Sequence, residues 1–150
     1  MENQTGDETR SVKRPYDFAF RYESRTGTNS SPDYVEFVVE IAPDGSGEIR
    51  YMDSDHYKTD EFVDLFYPSE EALERLYRMM LAFGIFEQVW QPPRAGQKNG
   101  ENMVKLEITC AGNFFEAPAS QREADTEPLI PVFEAIRGLV PQTTWDKIRS

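Results

Sequence analysis

Apolar and polar residues alternate along several stretches of this chain, and in two others apolar residues recur every three or four positions. The first period belongs to a half-buried strand and the second to an amphipathic helix. Tyr16, Phe18, Phe20 and Tyr22 alternate with Asp17, Ala19 and Arg21, which predicts a strand opened by Pro15. Ser24 to Asp33 is rich in Gly, Ser, Thr and Asn and predicts a loop. From Tyr34 to Ala42, Val35, Phe37, Val39 and Ile41 share one face, while Glu36 and Glu40 take the other. The turn Asp44-Gly45-Ser46-Gly47 supplies residues tolerant of positive φ. It leads into a strand over 48–52 with Ile49 and Tyr51 on one face. Within 58–66, Phe62, Val63, Leu65 and Phe66 suggest a short fourth strand.

The helical pattern is clearest after Ser69. This residue can cap free N–H groups of the first turn, and Glu70 and Glu71 sit at the positive end of the dipole. Leu73, Leu76, Tyr77, Met80 and Leu81 form one stripe. Gly84 predicts a Schellman ending, with Ile85 returning to Met80. Gln91 to Asn102 reads as a Pro- and Gly-rich loop. Val104, Leu106, Ile108 and Cys110 alternate with Lys105, Glu107 and Thr109, and Ala111-Gly112-Asn113 turns the chain into 114–117. Ala119 to Pro128 is polar. A second helix is expected from Pro131, with Val132, Phe133, Ile136, Leu139 and Val140 on its buried side and Pro141 as its stop. Thr143 or Thr144 is expected to cap a short final turn through Trp145 and Ile148.

Strands therefore come in hairpins, with helices set between them. This order implies an α+β fold: a two-layer domain with a mostly antiparallel sheet of five or six strands and two helices on one face. A polar tail over 1–14 is expected to precede a single domain over 15–150. With 150 residues, 39% of them apolar and 13% aromatic, the chain can build one core without a staple.

Charge changes the picture. The formal net charge is −11, and 33–75 carries 13 acids against Arg50, Lys58 and Arg75. Such a surface repels nucleic acid and anionic membranes and suits a basic protein partner, although acidity also serves plain solubility. No run of about 18 apolar residues exists to span a bilayer. The first residues lack the apolar core of a signal peptide. Cys110 is the sole cysteine, so no internal disulfide or cysteine-based zinc site can form. The expected setting is the cytoplasm.

Catalytic signatures are missing. His56 is the only histidine, and with Asp53, Asp55 and Asp60 it could hold a divalent cation loosely. The spacing is not that of a calcium loop, since Tyr57 and Lys58 stand where an oxygen ligand and glycine belong. Polar loop chemistry explains the cluster without any cation. Arg94 and Lys98, close in sequence to Trp90, could form a small aromatic–basic ligand site in a loop, or simply be solvated. Glu36 and Glu40 share a strand face and could meet a partner. Cys110 lies on an apolar face, where a thiol is inert. The aromatic residues Phe62, Phe66, Tyr67, Phe83, Phe86 and Trp90 are expected in the core, except where several stay exposed and form a patch. No cofactor is called for.

The Asp44-Gly45 turn leading to Tyr51, the helix Ser-Glu-Glu-Ala-Leu-Glu-Arg-Leu, the Gly-Ile-Phe after it, the hairpin at 113–115 and the Leu139-Val140-Pro141 ending form a recognisable outline. It covers most of 34–148 and resembles small uncharacterised bacterial α+β domains. The resemblance implies a fold and brings no catalytic residues.

Two kinds of function remain. The first is a non-enzymatic interaction module, immunity- or inhibitor-like, that meets a basic protein. The second binds a small ligand or a divalent cation through the loops near His56 and Arg94–Lys98. An enzyme would need a constellation that the sequence does not offer. A monomer is expected, or a homodimer paired through an exposed edge strand.

Overall fold

The computed structural model describes residues 13–27, 34–53, 61–86, 102–117 and 123–149. Six strands form one antiparallel sheet: β1 (Ala19–Thr26), β2 (Val35–Ile41), β3 (Gly47–Asp53), β4 (Phe62–Phe66), β5 (Asn102–Cys110) and β6 (Asn113–Ala117). Their spatial order is β4-β3-β2-β1-β5-β6. The first four strands run as a meander. The β5–β6 hairpin then docks antiparallel on the free side of β1, which becomes a central strand. Helix α1 (Glu70–Ala82) separates the two units, and α2 (Glu123–Thr126), a 3-10 turn (Glu127–Leu129), α3 (Ile130–Arg137) and α4 (Gln142–Arg149) close the chain. The fold is α+β in two layers.

Local chemistry accounts for the element ends. Ser69 Oγ accepts from the Ala72 amide at 3.0 Å. At the other end Gly84 has φ 70°, and its N–H and that of Ile85 return to the carbonyls of Leu81 and Met80 at 3.0 and 3.2 Å. This is the predicted Schellman ending. Ala111 and Gly112 both have positive φ, as a two-residue hairpin requires. Asp17 Oδ1 and Oδ2 accept from their amides at 2.8 Å each.

One face of the sheet carries the core. Tyr22 stacks on Phe133 with ring centres 5.1 Å apart. Phe18 meets Tyr77 edge-on at 5.4 Å, and Phe86 meets Phe115 at 5.1 Å. Ile49, Val39, Leu106, Ile108, Met80 and Ile136 are fully buried among them. Gly47 is required by packing: a Cβ there would lie 2.6 Å from the buried Phe66 ring. Helix α4 is tied to the edge strand by Thr144 Oγ1 donating to Asp64 Oδ2 at 2.9 Å, with Lys147 Nζ 3.6 Å from the same oxygen.

Several expectations shift. β1 begins at Ala19 instead of Tyr16, because Phe18 N–H closes a turn on the Pro15 carbonyl at 3.1 Å and leaves Tyr16 exposed. It then runs on through Ser24 to Thr26, where the composition predicts a loop, because both β2 and β5 supply ladder partners there. The polar stretch before Pro131 holds α2 and the 3-10 turn. The second predicted helix ends at Arg137, with Leu139 and Val140 in a turn beyond it. The final turn is a full eight-residue helix that starts at Gln142, and Thr144 bonds Asp64 instead of capping. Arg14, at the end of the expected tail, is pinned to α1: its guanidinium pairs with Glu70, and its amide donates to Glu74 at 3.3 Å. The fourth strand over 62–66 is present.

Candidate functional site

The face of the sheet turned away from the helices is lined by charges, and its strand register sorts them. Leu65, Glu48, Glu40, Arg21, Glu107 and Glu116 stand opposite one another, one residue per strand from edge to edge. Four carboxylates therefore share a row with a single cation. The next row (Val63, Arg50, Val38, Glu23 and Lys105) has the opposite balance. Acidity on this face is thus concentrated in one line.

Two neighbour pairs in that line, Glu40 with Glu48 and Glu107 with Glu116, put like charges directly opposite, which destabilises a sheet. Arg21 is shared between Glu40 at 3.8 Å and Glu107 at 4.0 Å, and it also meets Glu23 at 3.0 Å. Lys105 lies 3.3 Å from Glu107 and 3.6 Å from Glu116. Burial works against the charge on Lys105, yet Glu107 and Glu116 together hold its ammonium above the ordinary lysine range. Arg50 lies 3.5 Å from Glu48 and 3.4 Å from Glu61.

Of this row, Glu48, Glu40, Arg21 and Glu107 form the floor of a groove of about 460 Å³. Ala19 keeps the floor low. Leu65 and Tyr67 at one edge and Phe114 at the other line it too, and all three side chains are more than half exposed. The groove therefore combines a carboxylate floor with apolar margins.

A second concavity, of about 590 Å³, lies on the helical side between α3–α4 and the far end of β1–β3. Phe37, Tyr51, Trp145, Ser24 and Arg137 line it. Trp145 meets Phe37 edge-on with ring centres 5.5 Å apart, and the Arg137 guanidinium lies 5.4 Å from the centre of the Phe37 ring. Tyr22 is buried beside this group. Burial pushes its phenol above the ordinary range, and the Arg137 charge and the Ser24 hydroxyl offset part of that.

The predicted site residues are separated by this arrangement. Glu40 lies on the groove floor. Glu36 shares its face two pleats away and accepts a hydrogen bond from the Tyr34 hydroxyl. Burial, reinforced by Glu36, pushes that phenol up to about 12. Asp53 ends β3 and accepts from Tyr51 at 3.2 Å. Asp55, His56, Asp60, Trp90, Arg94 and Lys98 lie outside the described residues. Among the described residues no three His, Cys, Asp or Glu side chains gather as ligands of one cation, and no helix is long and apolar enough to cross a membrane. Of the aromatic cluster, Phe66 and Phe86 are core while Tyr67 and Phe83 are exposed. Cys110 is buried, as its position on the apolar face implies.

Sequence reasoning missed Glu48, Glu107, Glu116 and Arg21 as one site. Alternation assigns each to a face, but only the pairing of distant strands sets them in line. No protein-family model matches the chain, and no curated protein matches it.

Proposed function

We propose that this protein is a non-enzymatic interaction module that receives a basic segment of a partner protein on the open face of its sheet. The observation that carries the reading is the cross-sheet row of four carboxylates around Arg21. Like-charged neighbours reduce the sheet's own stability, and a Lys or Arg from a partner would relieve them. Leu65, Tyr67 and Phe114 offer apolar contact at the margins of the groove, the mixture of buried apolar surface and charge that interfaces use. A cytoplasmic setting, where a lone thiol stays reduced, belongs to this reading.

The test is a nuclear magnetic resonance titration of the labelled protein with a peptide alternating Lys and Leu, and with its Glu–Leu counterpart. The basic peptide is expected to shift the amides of Glu40, Glu48 and Glu107 and to bind less tightly as salt rises. The double variant Glu40→Gln/Glu48→Gln is expected to bind it roughly tenfold more weakly. Equal binding of the two peptides, or no loss in the double variant, would reject the reading.

A further inference from the structure

The cavity beside α4 differs in chemistry from the acidic groove. None of the described residues that line it is Asp or Glu. Among the described lining residues Arg137 is the one that carries charge, and it forms no ion pair with a described residue. Two of its lining residues also bond carboxylates, Tyr51 donating to Asp53 and Gln142 Nε2 to Asp146 at 3.0 Å. The described lining of this recess therefore favours an anion.

The walls are held in place. Trp145 Nε1 donates to the Arg137 carbonyl at 3.3 Å, which fixes the indole across the mouth of the recess. Tyr51 and Phe37 are adjacent in register across β2 and β3. These rings make an angular apolar recess, with the indole of Trp145 at 86° to the Phe37 ring. Deeper in, Ser24 is almost wholly buried and lines the floor.

Next to Ser24 in the strand pattern is Tyr22, which is fully buried, and its hydroxyl closes no hydrogen bond of normal geometry. The Ser24 hydroxyl and the Arg137 guanidinium, both at the cavity, are near enough to act on it. A buried hydroxyl without a full partner is unfavourable, and phenylalanine would fill the same space without that penalty. Arg137 and Ser24 therefore line one end of an aromatic recess, with the buried Tyr22 hydroxyl behind them.

We propose that this cavity binds a small carboxylate with a flat apolar body, an aryl-alkanoic acid in chemical class. The body lies against Trp145, Phe37 and Tyr51, and the carboxylate meets the planar donor fork of Arg137, with the Tyr22 and Ser24 hydroxyls behind it. The volume, about 590 Å³, lies within the range of small-ligand sites. This site is on the other side of the sheet from the acidic row and does not depend on the partner-binding reading.

Replacing Trp90 by Phe leaves Trp145 as the sole tryptophan, so its emission reports on the cavity. The probes are 4-phenylbutyrate and its neutral amide, 4-phenylbutyramide. The acid is expected to change Trp145 emission and to bind about tenfold tighter than the amide, the size of a charge-assisted hydrogen bond. Arg137→Gln is expected to abolish that preference. Tyr22→Phe is expected to weaken the acid several-fold without lowering the melting temperature of the free protein. Failure of both probes to change Trp145 emission, equal affinity for acid and amide, or a preference that survives Arg137→Gln would overturn the proposal. Glu40→Gln, on the opposite face, is expected to leave both affinities unchanged.

Discussion

The two faces of this sheet are built on opposite principles from the same strands. The helical face is specified by volume: its rings and branched side chains fill one continuous core, and a single Cβ at Gly47 would not fit. The open face is specified by charge, with Arg21, Arg50 and Lys105 each shared between carboxylates. Packing constrains nearly every position on the first face, because interiors are as dense as organic crystals. Exposed ion pairs constrain little, because water competes with them. The open face is therefore free to hold residues that cost stability, such as the opposed Glu40 and Glu48. Strand β1 shows both principles in adjacent residues: Arg21 serves the acidic row while Tyr22 belongs to the core beside the other cavity.

Adjacent residues on β3 give the largest expected contrast. Ile49 is fully buried, and Arg50 points to the open face with its side chain about half exposed. Ile49→Ala is expected to lower stability by about 2–5 kcal/mol, through lost transfer energy and the cavity left behind. Arg50→Ala is expected to lower it by no more than about 1 kcal/mol. Urea unfolding of the two variants reads the difference directly. Comparable losses would mean that the open face is structural, and would weaken the case for it as a recognition surface.

Gly47→Ala tests the same contrast from the side of excess volume. The added methyl meets the Phe66 ring at 2.6 and 2.7 Å and Ile41 Cδ1 at 3.0 Å, and Phe66 is itself buried. Overpacking of this kind is expected to remove roughly 1–3 kcal/mol. The measurement is again the urea midpoint, at unchanged slope. A neutral result would mean that Phe66 and the edge strand can move aside, and that the packed face ends before β4.

Much of the helical face was legible in the residues alone. Strand alternation put Phe37, Val39, Ile41, Ile49, Leu106 and Ile108 on buried faces, and Ser69 and Gly84 marked both ends of α1. The open-face site was legible only in pieces. Glu36 and Glu40 stand out as a pair on one strand, yet Glu40 is completed by Glu48, Arg21 and Glu107 from three other strands. That line depends on register and on β5 pairing with β1, and no local pattern encodes either. The helical-side cavity left a fainter trace. Tyr22, Ser24 and Thr26 put hydroxyls at every second position on a face that otherwise packs apolar groups. The loop composition after Tyr22 hid this by suggesting that the strand had already ended.

The smallest expected effect concerns Asp17, which belongs to neither face and ties the start of β1 to the β5–β6 turn. Its two oxygens accept from the amides of Gly112 and Ala111 at 2.8 Å each. Those bonds, Gly112 first, favour the carboxylate and hold its pKa below the ordinary value of 3.8. The folded pKa is the lower one, so the contribution is complete above the unfolded value and is lost as pH falls through the folded value. Asp17→Asn removes the charge and turns one acceptor into a donor that faces an N–H. The urea midpoint of the variant is therefore expected to lie slightly below that of the natural protein from neutrality down to about pH 5. The gap should then narrow as the medium becomes more acidic. Asp17 is still partly exposed to solvent, which keeps this effect below those of Ile49 and Gly47. A gap that stays constant into strong acid would show that the charge is not its source. The same substitution loosens the turn next to Phe114, so it should also blunt the titration shifts at that margin of the acidic groove while leaving the Trp145 cavity untouched.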